Sequence, residues 1–168
     1  ILFYLADKGY DLARLNGLFN KKSGLLGISG VSNDMRTLEK HAEDGDERAK
    51  LAIEMFCYRV RKYIGAYSAV LDSVDAVVFT GGIGENSALV RELTCRDLAH
   101  LGIVLDPKAN GQAGGRESAV SASESRVRVL VIPTNEEQAI ARDAFELVGG
   151  KSEHGAKGRS VEYDRQER

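Results

Sequence analysis

Cysteine, histidine and any surplus of one charge are scarce in this chain. Cys57 and Cys95 are the two cysteines among 168 residues, and they lie far apart with no partner at metal-ligand spacing. That excludes a disulfide framework and fits a reducing cytosol. The three histidines, His41, His100 and His154, are equally scattered, so no zinc-type ligand pattern is present. Lys and Arg number 23 against 25 for Asp and Glu, a net charge of −2. Such a balance offers no basic field to nucleic acid or to an anionic membrane surface. No apolar run approaches the ~20 residues needed to span a bilayer. The opening Ile1, Leu2, Phe3, Tyr4 and Leu5 lack the basic segment of a secretory signal and an initiating Met. The expectation is that an upstream part of the protein is missing.

What is there is ordinary globular composition, 43% hydrophobic and 29% charged, which excludes global disorder and collagen-like repeats. The length suits one domain or one half of a two-domain protein. Two short helical patterns precede residue 24, separated by Gly9, with Leu12, Leu15, Leu18 and Phe19 at spacings of three and four. Leu25, Leu26, Gly27, Ile28, Ser29 and Gly30 read as a packed turn. Over residues 46–71, Ala49, Ile53, Phe56, Val60, Ile64, Tyr67 and Leu71 cover 22 residues in six steps, the period of an α-helix. Cys57 borders that stripe as a small core residue.

Residues 75–80 and 127–132 are β-favouring runs, the first ending in glycines and the second in Pro133. A helix is expected from Ser87, faltering near Thr94, where Thr94 and Asp97 at capping-box spacing allow a restart before Gly102. Residues 107–125, with three Gly and four Ser, read as an exposed loop or weak hairpin. A last helix is expected over residues 136–148, with Ala139, Ile140, Ala144 and Leu147 on one side. Residues 149–168, nine of them charged, read as a disordered tail after a 1–148 domain. Strands that lead through turns into helices imply an α/β architecture, and two or three strands are few for a complete one.

Three places carry candidate chemistry. Gly81, Gly82, Ile83, Gly84, Glu85 and Asn86 follow the first strand, where glycines let a ligand approach the backbone and a helix start offers free N–H groups. The third glycine of a dinucleotide fingerprint is absent, because position 87 is Ser, and no Walker lysine follows. A plain tight turn with Asn86 or Ser87 as N-cap explains the same residues. In Pro133, Thr134, Asn135, Glu136 and Glu137, the Thr134/Glu137 spacing is that of a capping box. Glu136 is left to hold a hard cation or simply to complement a helix dipole. Asp34 could accept from ribose hydroxyls and Arg36 could stack on a base, unless Asn33 or Asp34 merely caps a helix.

Taken together and in order, these motifs resemble the acetate kinase family. The resemblance is carried by residues 20–30, by Asp34, Met35 and Arg36, by residues 78–86, and by residues 132–137, and it covers residues 1–148. It implies the actin-like ATPase and sugar kinase superfamily, with a ribonuclease H-like α/β core, of which this is the C-terminal domain only. It further implies ATP-dependent phosphorylation of acetate to acetyl phosphate with Mg2+, in a cytoplasmic homodimer. On that resemblance Asp34, Met35 and Arg36 hold ribose and adenine, residues Gly81, Gly82, Ile83, Gly84, Glu85 and Asn86 line the nucleotide pocket, and Glu136 is the magnesium residue. The acyl pocket and the arginines that clamp the phosphoryl group belong to the family's other half, so the chain alone is expected to be inactive. A propionate kinase shares the motifs, and a non-catalytic nucleotide-binding module of the actin or chaperone type shares the fold.

Overall fold

The longest helical stripe does form the longest helix. The computed structural model describes residues 1–148, which fall into two units, Ile1–Thr134 and the residues from Asn135 on. Helix α5 (Glu47–Ser68) starts at Asp46, whose carboxylate accepts from the N–H groups of Arg48 (2.9 Å) and Ala49 (3.1 Å). Ala49, Ala52, Ile53 and Cys57 form its buried face, and the two alanines let neighbouring helices approach closely. The far end of the stripe does not bury: Tyr67 is 62% exposed and Leu71 54%.

Against α5 pack α3 (Gly24–Ser29) and α4 (Met35–Glu43). Two short helices precede them, α1 (Leu2–Asp7) and α2 (Leu12–Lys21). Met35, Leu38, Ile53 and Cys57 join Val90 and Leu93 in one apolar cluster, with Leu25 and Ile28 against it. Residues 25–30 are therefore not a turn but one and a half turns of helix, held by burial of Leu25 and Ile28 and ended by Gly30 at φ +76°.

Strands β1 (Ala76–Phe79), β2 (Ser118–Ala119) and β3 (Arg128–Val131) form a sheet ordered β1-β3-β2. β1 and β3 run parallel in the register Phe79↔Val131, and β2 is antiparallel to β3. The parallel pair requires a long crossover, and it contains α6 (Gly81–Asn86), α7 (Ala88–Cys95) and α8 (Pro107–Gln112). Val129 and Val131 sit under that crossover with Phe79, Ile103 and Val120, a second apolar cluster.

The expected glycine loop is thus the short helix α6, and part of the expected loop at 107–125 is α8, started by Asp106 as N-cap and by Pro107 at the first helical position. Thr94 caps nothing: it lies buried inside α7, and the 3₁₀ turn Ala99–Leu101 begins at Leu98 without a side-chain cap. The second unit carries α9 (Glu136–Leu147), as the sequence predicts. Its N-cap is Asn135, which accepts from the Gln138 N–H at 3.0 Å, so the Thr134/Glu137 capping box does not form. Asn135 is the better cap and lies one residue nearer the helix. Ile140 and Leu147, expected on one side of α9, are 68% and 87% exposed. The tail expected over residues 149–168 lies outside the described residues. Among those that are described, no helix is long and apolar enough to cross a membrane.

Candidate functional site

The approach to α4 is built from hydroxyl groups. Ser29, buried at the end of α3, accepts from the N–H groups of Val31 (3.2 Å) and Ser32 (3.4 Å), and Ser32 Oγ accepts from the Asp34 N–H at 3.0 Å. These bonds fix where α4 begins, and burial of Met35 and Leu38 fixes its rotation. Asp34 is the N-cap, accepting from the Arg36 N–H at 2.9 Å and from that of Thr37 at 3.4 Å. The Arg36 guanidinium curls back onto the same carboxylate at 2.9 and 3.3 Å. This guanidinium first, then the Thr37 N–H, holds the Asp34 carboxyl down at about 2, and the pair raises Arg36 in turn. The planar head of Arg36 stays 87% exposed.

Across from it, α6 closes on itself. Glu85 accepts from the Gly81 N–H at 3.0 Å, and from the Thr134 N–H and hydroxyl at 2.7 and 3.1 Å. Those bonds, led by the Thr134 N–H, hold the Glu85 carboxyl below its usual range. Gly81 is required by its φ of +70°, and Gly84 because a Cβ there would lie 3.2 Å from the Phe79 carbonyl carbon. Gly82 has neither reason, since its φ is ordinary and an added Cβ would meet nothing within 4 Å. Asn86 donates to the Gly82 carbonyl at 2.8 Å, and Ser87 caps α7 by accepting from Val90 N–H at 2.9 Å.

The two predicted motifs meet. A cleft of about 760 Å³ is lined by Asn33, Asp34, Met35, Arg36 and Glu39 on one wall and by Gly82, Ile83, Asn86 and Ser87 on the other. Gly81, Gly84 and Glu85 are not among its lining residues; they shape the turn from behind. Met35 is 4% exposed and serves the core as well as the cleft wall. Glu39 was not singled out by sequence reasoning. It accepts from the Ser87 hydroxyl and so ties α4 to the α6–α7 junction. The partners are 48 residues apart, and only folding reveals them.

Glu136 stands exposed in the first turn of α9 beside Glu137, in the second unit. No group of three or more His, Cys, Asp or Glu side chains that could hold a metal gathers among the described residues. A single carboxylate is still a sufficient donor set for a magnesium ion that brings waters and substrate phosphates with it.

The model of the acetokinase family matches residues 1–142. An acetate kinase of Caldicellulosiruptor saccharolyticus is 52% identical over 149 residues, 88% of this chain and 37% of that protein. Among solved structures, acetate kinase of Porphyromonas gingivalis superposes with a TM-score of 0.79 at 46% identity, covering 88% of this chain and 37% of that one. A propionate kinase from Francisella tularensis gives 0.76 at 41% identity, over 84% and 36%. The chain therefore spans little more than a third of the length of the relatives it matches. The fold is that of the actin-like ATPases, as the motifs predict.

Proposed function

This chain belongs to the acetokinase family, and on that premise we propose that the cleft between α4 and α6 is the adenine-nucleotide site of a phosphotransferase acting on acetate. The observation that carries the reading is the convergence of Asp34 and Arg36 with Gly82, Ile83 and Asn86 on one cleft. Asp34 stays ionised at any physiological pH and is a permanent acceptor for ribose hydroxyls. Arg36 keeps its guanidinium plane open, the shape and charge that stack on a purine. Gly82, with no packing reason to lack a side chain, leaves room for the nucleoside.

In this reading the chain is the C-terminal, nucleotide-holding part of the enzyme. Its work is binding and orientation: α4 fixes the nucleoside, and the α6 wall sets the direction in which the phosphates leave the cleft. Phosphoryl transfer depends on positioning and on cations at the transferring group. Among the described residues the one cation lining the cleft is Arg36, already paired with Asp34. Glu136 is the residue that would hold Mg2+, which when bound neutralises phosphate charge. The 168-residue chain alone is therefore expected to bind ADP weakly and to make no acetyl phosphate. Ile1, Phe3 and Leu12, exposed at 85%, 87% and 86%, would meet the remainder of the longer enzyme. A cytoplasmic homodimer and acetate as acceptor follow from the resemblance; propionate is the alternative, supported by the structural likeness to a propionate kinase.

Calorimetric titration with ADP tests the site. The wild-type chain should bind, and Asp34→Asn and Arg36→Ala should each weaken binding. Equal affinity in the three proteins would remove these residues from the site. Turnover of ATP and acetate at ~1–100 per second by the chain alone would mean the catalytic groups lie within it.

A further inference from the structure

Beneath the cleft wall formed by α6 lies Arg91, a guanidinium with no exposed surface. Burying a charge is costly unless its donors are satisfied, and usually a carboxylate does this. No carboxylate pairs with Arg91 among the described residues. Its partners are all neutral. Nη1 donates to the carbonyls of Gly84 and Glu85, each at 2.9 Å, and Nε and Nη2 donate to the side-chain and backbone oxygens of Asn110 at 2.7 and 2.8 Å. Asn110, 3% exposed, donates in turn to the Ala88 carbonyl at 2.9 Å.

The two α6 carbonyls explain the cost. A helix leaves its last carbonyls without partners, and α6 stops at Asn86 only for α7 to start in a new direction at Ala88. Six residues, three of them glycine, cannot hold a helical turn by propensity alone. Glu85 secures the turn at its start, through the Gly81 N–H. Arg91 secures its end, and its flat fork reaches two carbonyls and Asn110 at once, a geometry lysine cannot reproduce.

We propose that Arg91, braced by Asn110, is the positioning residue of the nucleotide-binding turn: it grips the Gly84 and Glu85 carbonyls from inside and so holds Gly82, Ile83 and Asn86 in place to face Asp34 and Arg36. The inference rests on the reading of the cleft as a nucleotide site. Arg91 itself touches no ligand. Its effect on affinity comes from keeping the turn in its binding-competent form, because apparent affinity falls with the fraction of molecules in that form.

The test uses the 168-residue chain with Arg91→Lys, with Asn110→Ala, and with Val129→Ala as a control that thins the sheet core without touching the turn. Amide hydrogen exchange is read without ligand, and ADP affinity by calorimetry. In Arg91→Lys and Asn110→Ala, exchange should rise selectively over residues 82–87. ADP binding should weaken about tenfold, as expected if the turn is formed a tenth of the time. Val129→Ala should lose thermal stability yet bind ADP like the wild type. Asn110→Ala, which leaves the Arg91–carbonyl bonds chemically possible, keeps the test decisive where Arg91→Lys fails to fold. Unchanged exchange at residues 82–87, or a wild-type affinity in the folded variants, overturns the inference while leaving the cleft reading intact. Equal weakening by Val129→Ala also overturns it, because the effect would then be general stability. A wild-type chain that does not bind ADP overturns the cleft reading, and this inference with it.

Discussion

Gly82 and Gly84 stand two residues apart in α6, yet alanine at the two positions should move stability in opposite directions. Neither needs a positive φ, and an added Cβ at 82 meets nothing within 4 Å. Alanine there should stabilise by ~0.4–1 kcal/mol, through helix propensity and a less free unfolded chain. At 84 the same gain is opposed by crowding: the Cβ would lie 3.2 Å from the Phe79 carbonyl carbon and 3.4 Å from its Cα and Cβ. Phe79 is paired to Val131 and its side chain is buried in the sheet core, so its backbone has little room to yield. Overpacking of this kind costs ~1–3 kcal/mol, leaving Gly84→Ala about 1 kcal/mol less stable than wild type. The two variants should differ by about 2 kcal/mol, a gap of about 5 °C in Tm for a domain of this size. Urea titrations followed by far-ultraviolet circular dichroism resolve that difference. The Cβ at 82 would enter the cleft, so Gly82→Ala should bind ADP more weakly while being the firmer protein. If Gly84→Ala proves as stable as Gly82→Ala, the packing argument for α6 fails. If Gly82→Ala binds ADP like the wild type, Gly82 does not face the ligand.

Other outcomes follow from the same geometry. Asp34, held at about 2 against an ordinary 3.8, contributes stability that is complete above the ordinary value and is lost as pH falls through about 2; an acid titration of unfolding, compared with Asp34→Asn, should show this part missing in the variant. Burial pushes the Cys95 thiol up to about 11 from 9.0, so its contribution is intact below 9.0 and fades as pH rises toward 11. Both cysteines are buried, so an aromatic disulfide reagent at pH 8 should label them at the rate of unfolding, and fast labelling of the native chain would contradict their placement. Leu38→Ala, at a site with no exposed surface, should cost ~2–5 kcal/mol in a urea titration.

Features that local spacing encodes can be read from the residues alone. The caps at Asp34 and Ser87, each one of two neighbouring candidates in the sequence, involve partners two or three residues away, and the stripe through Ala49 and Ile53 repeats every turn, so both are legible without a fold. The two principal strands, α9 and the four motifs of the family are equally local. Tertiary structure decided the rest. Residues 24–29 and 81–86 are helical against their glycine content, because burial and bonds from distant residues outweigh a propensity deficit of ~1 kcal/mol per glycine. Thr134, which from spacing alone reads as a helix cap, instead bonds Glu85 across 49 residues of sequence. Glu39 finds Ser87, and Arg91 finds Asn110, at separations that no periodic pattern records. The cleft is made of such pairings. A helix start and a glycine turn, each explicable alone as ordinary capping, become two walls of one site only because α4 and α7 pack on the same side of α5, and that choice is made by the core beneath them.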